Sequence, residues 1–120
     1  MVLVQIYVPQ ALNNTYINVP LYGTYDVSVI GIAYHDAPVQ ARPMEIQSDI
    51  LRVVNSSSPY IMFLNAPSSS VSNGSDSGRM VSIPNCDFNG KVLINVIDKT
   101  TGTAPANMQY LLISLEVVKK

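Results

Sequence analysis

At 120 residues the chain is long enough for one domain, spanning 1–120, and too short for two. Only 12 % of it is charged, about half the typical share, with seven basic and eight acidic residues and a formal net charge of −1. That balance offers no basic face for phosphates, so nucleic acid is not expected as the main partner; nor does any stretch approach the roughly 18 apolar residues of a membrane helix.

Strand signals follow one another in about eight short runs. Residues 2–8 (VLVQIYV) form the first, stopped by Pro9. They have no basic leader and no small-residue cleavage site, so no signal peptide is expected. Residues 15–21 come next, with Pro20 inside, which suggests a strand edge or end. In 24–34, Tyr25, Val27 and Val29 alternate with Asp26 and Ser28, the period of one buried face. After Gly31 apolar residues fall on both parities, which predicts a bulge or kink.

Residues 44–54 read as a further strand whose apolar parity swaps at Leu51, by a bulge or a change of sheet. Residues 60–64 are short and wholly apolar, and 80–83 are brief. In 91–98, Val92, Ile94 and Val96 share one parity; in 108–118, Leu111, Ile113, Leu115 and Val117 do. No segment carries a helical period. The expected fold is therefore all-β, an antiparallel sandwich of about eight strands, jelly-roll-like. The segments 66–79, rich in Ser, and 99–107 are the two long loops, the first expected to be mobile.

Chemistry-bearing residues are sparse. The single histidine, His35, ends a predicted strand beside Asp36, and one histidine with scattered acids does not make a triad. Gly74-Ser75-Asp76-Ser77-Gly78 has Asp76 where a nucleophile elbow needs serine. One Cys and one His are no zinc cluster, and Asn73, Asp76 and Ser77 match no calcium loop. Cys86 lies beside Asp87, whose charge raises a thiol pKa, so a reactive thiolate is not expected. No catalytic residue, metal site or cofactor is assigned, and the chain is not expected to be an enzyme. Sequons occur at Asn13, Asn55 and Asn73 and are expected to be unused.

Fifteen charges cover the surface at roughly one per 400 Å² for a domain of this size. Either the surface is neutral and rich in Ser, Thr and Asn, or partners cover much of it, since interface cores are poor in charge. Tyr7, Tyr34, Met62 and Tyr110 are the candidate exposed anchors for such contacts. The runs 2–8 and 108–118 would be aggregation hazards as free edges, so a homo-oligomer is expected.

Met44-Glu45-Ile46-Gln47-Ser48-Asp49-Ile50-Leu51, then Pro59-Tyr60-Ile61-Met62-Phe63-Leu64-Asn65, a Ser/Gly loop and the closing runs 91–98 and 108–118 resemble the single jelly-roll capsid proteins of double-stranded DNA viruses of eukaryotes. Minor or penton-like components of virophages belong to that group. The resemblance covers the last two-thirds of the chain. It implies a small virion component that packs beside copies of itself or other capsid proteins, assembled in the host cytoplasm or nucleus. The alternative is a carbohydrate- or ligand-binding module that uses the loops 66–79 and 99–107.

Overall fold

The computed structural model describes residues 2–36, 43–51, 60–65, 81–98, 101–105 and 108–120. They form six strands: β1 (Val2–Pro9), β2 (Thr15–Asp36), β3 (Pro43–Ser48), β4 (Tyr60–Asn65), β5 (Val81–Asp98) and β6 (Met108–Lys119). All pair antiparallel in one sheet, in the order β1-β6-β2-β5-β3-β4. The helical content of the described residues is one 3-10 turn, Gln10–Leu12. The all-β expectation holds. Among the described residues there are six strands in one sheet, and this does not confirm eight strands or a jelly roll.

The difference lies in β2 and β5. At about 3.3 Å per residue, 22 extended residues would run roughly 70 Å. The longest dimension of the molecule is 41 Å, so β2 must bend. Residues 15–24 of β2 pair with β5 alone, 30–36 border β6 alone, and 25–29 touch both. The two ends of β2 thus belong to opposite layers. The sheet folds over itself and buries one face, with side chains from β1, β2, β3, β5 and β6 in a single cluster. Each fully buried Val, Leu or Ile contributes about 1.5–3 kcal/mol relative to exposure.

Residues that punctuate the sequence mark bends here instead of strand ends. Pro20 sits in a gap of the β2–β5 ladder, between the pairs Asn18–Lys91 and Tyr22–Asn89, where a missing N–H leaves no ladder partner unmet. Gly23, paired with Phe88, follows at φ +105°, and Gly90, in the same gap of the ladder beneath the Tyr22 ring, is at φ +93°, both in a region open to glycine. On β5, Pro84 and Asn85 together oppose Asp26 as a bulge. Asp26 Oδ1 accepts the Asn85 backbone N–H at 3.1 Å.

The bulge expected near Gly31 is present, with Ile30 as the extra residue between Val29–Leu115 and Gly31–Ser114. It moves burial from Val27 and Val29 to Ile32 and Tyr34. The strand expected over 44–54 stops at Ser48. Ser48 Oγ accepts the backbone N–H groups of Ile50 and Leu51, a tight turn that carries Leu51 into the core at 0 % exposure. Asp49 Oδ1 accepts the N–H of Leu93, a side chain continuing the ladder beyond β3. The parity swap at Leu51 is therefore a turn. Residues 52–54 and the loop 66–79 lie outside the described residues.

Candidate assembly surface

β1 stands at one end of the strand order and carries no charged residue. Its even positions, Ile6 and Val8, are buried, with Val4 packed partly against the core. Its odd positions face out: Leu3 is 68 % exposed and Tyr7 53 %. The neighbouring strand β6 places Glu116, Ser114 and Leu112 opposite Leu3, Gln5 and Tyr7. Beyond them Gly31 and Ala33 of β2 pair with Ser114 and Leu112.

Tyr7 and Tyr110 are diagonal neighbours across the β1–β6 ladder, because Pro9 is paired with Tyr110 and Tyr7 with Leu112. Their rings stack at 5.7 Å and 28°. Gln5 Nε2 donates to Ser114 Oγ at 3.5 Å. A shallow groove bounded by Leu3, Gln5, Ile30 and Ser114 crosses this surface. Val118, 50 % exposed, extends the apolar area at its end. Glu116 brings charge into the β6 side of this face, opposite Leu3.

The outer face of β2 and β5 has a different character. Tyr16 and Tyr22 are exposed there, but Lys91 Nζ lies 4.6 Å from the centre of the Tyr16 ring. Thr24 Oγ1 donates to Asp87 Oδ1. Lys119 Nζ donates to the carbonyl of Tyr22 at 3.3 Å, and Lys120 Nζ stands 3.5 Å from Asp26 Oδ2. Exposed, solvent-screened pairs of this kind add little stability, but they keep the face wet.

Of the expected anchors, Tyr7 and Tyr110 are brought together on the β1–β6 face. Tyr34 is not an anchor: it is 1 % exposed and packs in the core, because the Ile30 bulge turns it inward. Met62 is placed in β4 opposite Ile46, and its side chain lies outside what is described. Leu3 and Val118 were not among the expected anchors. The parity that Leu3 shares with Tyr7 in residues 2–8 was the available signal.

Cys86 is buried, at 3 % exposure, and its Sγ donates to the carbonyl of Ile83 at 3.5 Å. Burial first, then the charges of Asp26 and Asp87, push its pKa up to about 11, consistent with an unreactive thiol. His35 is near the end of β2, paired with Tyr110. Among the described residues no three His, Cys, Asp or Glu side chains come together as a metal site. Asn55 and Asn73 lie outside the described residues.

Asn13 is a structural plug. Its Oδ1 accepts the N–H of Val96 at 2.8 Å and its Nδ2 donates to the carbonyl of Val96 at 3.2 Å. One carboxamide thereby supplies both ladder bonds to β5 where β2 has not yet begun. A second groove, lined by Gln10, Asn13, Asn14, Asn95, Ile97 and residues 102–105, lies beside this plug. Besides the bonds of Asn13, Asn95 Nδ2 is engaged by Gln47 Oε1 at 3.4 Å. Residues 101–105 are folded back on Asp98, whose N–H donates to the Thr103 carbonyl at 2.8 Å.

Fold and surface together define an all-β domain with one apolar and one polar outer face. No family model matches the chain, and no curated protein matches it. Among solved structures it is similar to the Drosophila NLP core, a structure described in terms of pentamer formation and histone binding. The two are 8 % identical, with a TM-score of 0.49 over 99 % of this chain and 98 % of that one. The viral capsid role expected from the strand pattern is corrected accordingly: the structure found to be similar is described for histone binding and is not a capsid protein. The pattern behind that expectation also changes, since its run 44–51 ends as a strand at Ser48 and its run 91–98 is the second half of β5.

Proposed function

We propose that the chain is an assembly domain that associates with copies of itself, working by contact and not by catalysis, with the edge strand β1 and its exposed side chains as the contact surface. The observation that carries the reading is the charge-free edge strand β1, which holds Leu3 and Tyr7 in solvent beside Tyr110 and Leu112. An exposed edge of that composition invites pairing with other chains unless it is covered. The low overall charge of the chain supports the same reading. Burying one Leu side chain at a contact is worth about 1.5–3 kcal/mol, and in a two-fold interface each such contact occurs twice.

The test is the mass in solution over a concentration series, by light scattering. The expected result is a defined species heavier than the 13.1 kDa chain, reduced to that mass by the double change Leu3→Lys and Tyr7→Lys with the β spectrum kept. A wild-type chain that stays at 13.1 kDa at millimolar concentration overturns the proposal.

A further inference from the structure

The run Val2-Leu3-Val4-Gln5-Ile6-Tyr7-Val8 has a symmetry of kind about its centre. Val2 and Val8 are equidistant from Gln5, as are Leu3 and Tyr7, and Val4 and Ile6. One edge of this strand is paired with β6, and the strand order gives the other edge no partner among the described residues. The devices that guard a free edge are absent from it: there is no lysine, no inward-pointing charge, and proline stands only at its last position, Pro9.

From these features we infer that two copies of the chain pair edge to edge through β1, antiparallel, about a two-fold axis at Gln5. The inference rests on the assembly reading above and names the partner strand. A two-fold axis perpendicular to the sheet keeps outer residues on the outer face. Leu3 then lies opposite Tyr7 of the partner subunit, and Tyr7 opposite Leu3 of the partner subunit. These are aromatic–aliphatic cross-strand pairs, made by side chains that are 68 % and 53 % exposed in the single chain. On the inner face Val4 meets Ile6 of the partner subunit, and the two cores become continuous. Gln5 meets its own copy, amide to amide.

Other registers are worse. A slip of one residue sets outer positions against inner ones and mixes wet and dry faces. Centring on Ile6 brings Pro9, which has no N–H, into the new ladder opposite Leu3. Centring on Val4 sets Leu3 opposite Gln5 of the partner subunit, a poorer cross-strand pair than Leu3 with Tyr7. A second copy is the occupant that satisfies every pair at once, because the surface is its own complement. Nothing in β1 provides the charge that would select a different protein.

Cross-linking tests the register directly. In a Cys86→Ala background, Gln5→Cys sets the new thiol opposite itself, with Cβ atoms about 4.5–5.5 Å apart, within reach of a disulfide after small adjustment. Mild oxidation is expected to convert most of this variant to a covalent dimer on a non-reducing gel. Leu3→Cys alone stays uncoupled, because two copies of that position are about 14 Å apart along the ladder. Leu3→Cys mixed with Tyr7→Cys gives the heterodimer. If the protein is oligomeric by light scattering but Gln5→Cys does not couple, or Leu3→Cys couples with itself as readily, the β1 pairing is wrong and the assembly reading stands. A chain that is monomeric throughout sinks both.

Discussion

Deletion of Ile30 isolates what the bulge itself is worth. The residue is half-buried and is the extra one between the pairs Val29–Leu115 and Gly31–Ser114. Without it the alternation runs Val29 in, Gly31 out, Ile32 in, so Ile32 and Tyr34, 2 % and 1 % exposed, keep their direction and their partners Ile113 and Leu111. What is lost is one half-buried side chain and the local bend, so the deletion is expected to cost about 1–2 kcal/mol. That is a small part of the roughly 5–15 kcal/mol that holds a domain of this size together. In urea, a slope near 2 kcal/mol per molar makes 1.5 kcal/mol a midpoint lower by about 0.75 M. Ile30→Ala is the control: it keeps the bulge, removes the half-buried side chain, and is expected to cost under about 1.5 kcal/mol. A deletion whose midpoint falls about 2 M or more below that of the substitution would show that the ladder after Val29 is not kept, and would refute Ile30 as the extra residue.

Two further outcomes are expected. Asn13→Ala removes both bonds to Val96 and is expected to cost about 1–3 kcal/mol, read as a melting temperature lower by roughly 4 °C per kcal/mol; an unchanged melting curve would contradict the plug. The Cys86 thiol titrates at about 11 in the folded chain against 9.0 in an open one, so the folded state holds the proton more tightly and stability falls as pH rises from about 9 to 11. In Cys86→Ala, with the thiol gone and about 2 kcal/mol of packing lost, that part of the decline disappears, and a difference in denaturation midpoint that does not change between pH 8 and pH 11 would refute the assignment.

Much of the core was legible because alternation survives wherever a strand stays regular. Val92, Ile94 and Val96 are buried as their parity predicts, as are Leu111, Ile113, Leu115 and Val117. What misled was punctuation. Pro20, Gly23, Pro84 and Gly90 read as strand ends, yet each sits at a ladder gap or a positive φ inside a longer strand. A proline or glycine states only that the regular ladder is interrupted; whether the chain resumes in the same sheet depends on tertiary pairing. Tyr34 shows the same limit on a single side chain, since the residue that reverses its direction is set by the register with β6. The Tyr7–Tyr110 pair is likewise a product of β1 lying beside β6, which no local window reveals.

The pairing of β1 with β6 also sets an order of events. Val2 lies opposite Val117 and Val8 opposite Leu111, so β1, ahead of every other described strand, has no neighbour until β6 has been made. Loop closure over such separations is slow compared with local turns, and contacts this distant place the domain among the slow folders. During that interval an apolar seven-residue segment waits without its inner partner. Residues 2–8 are then the part of the chain most open to pairing with other chains, and the arrival of β6 closes one of their two edges.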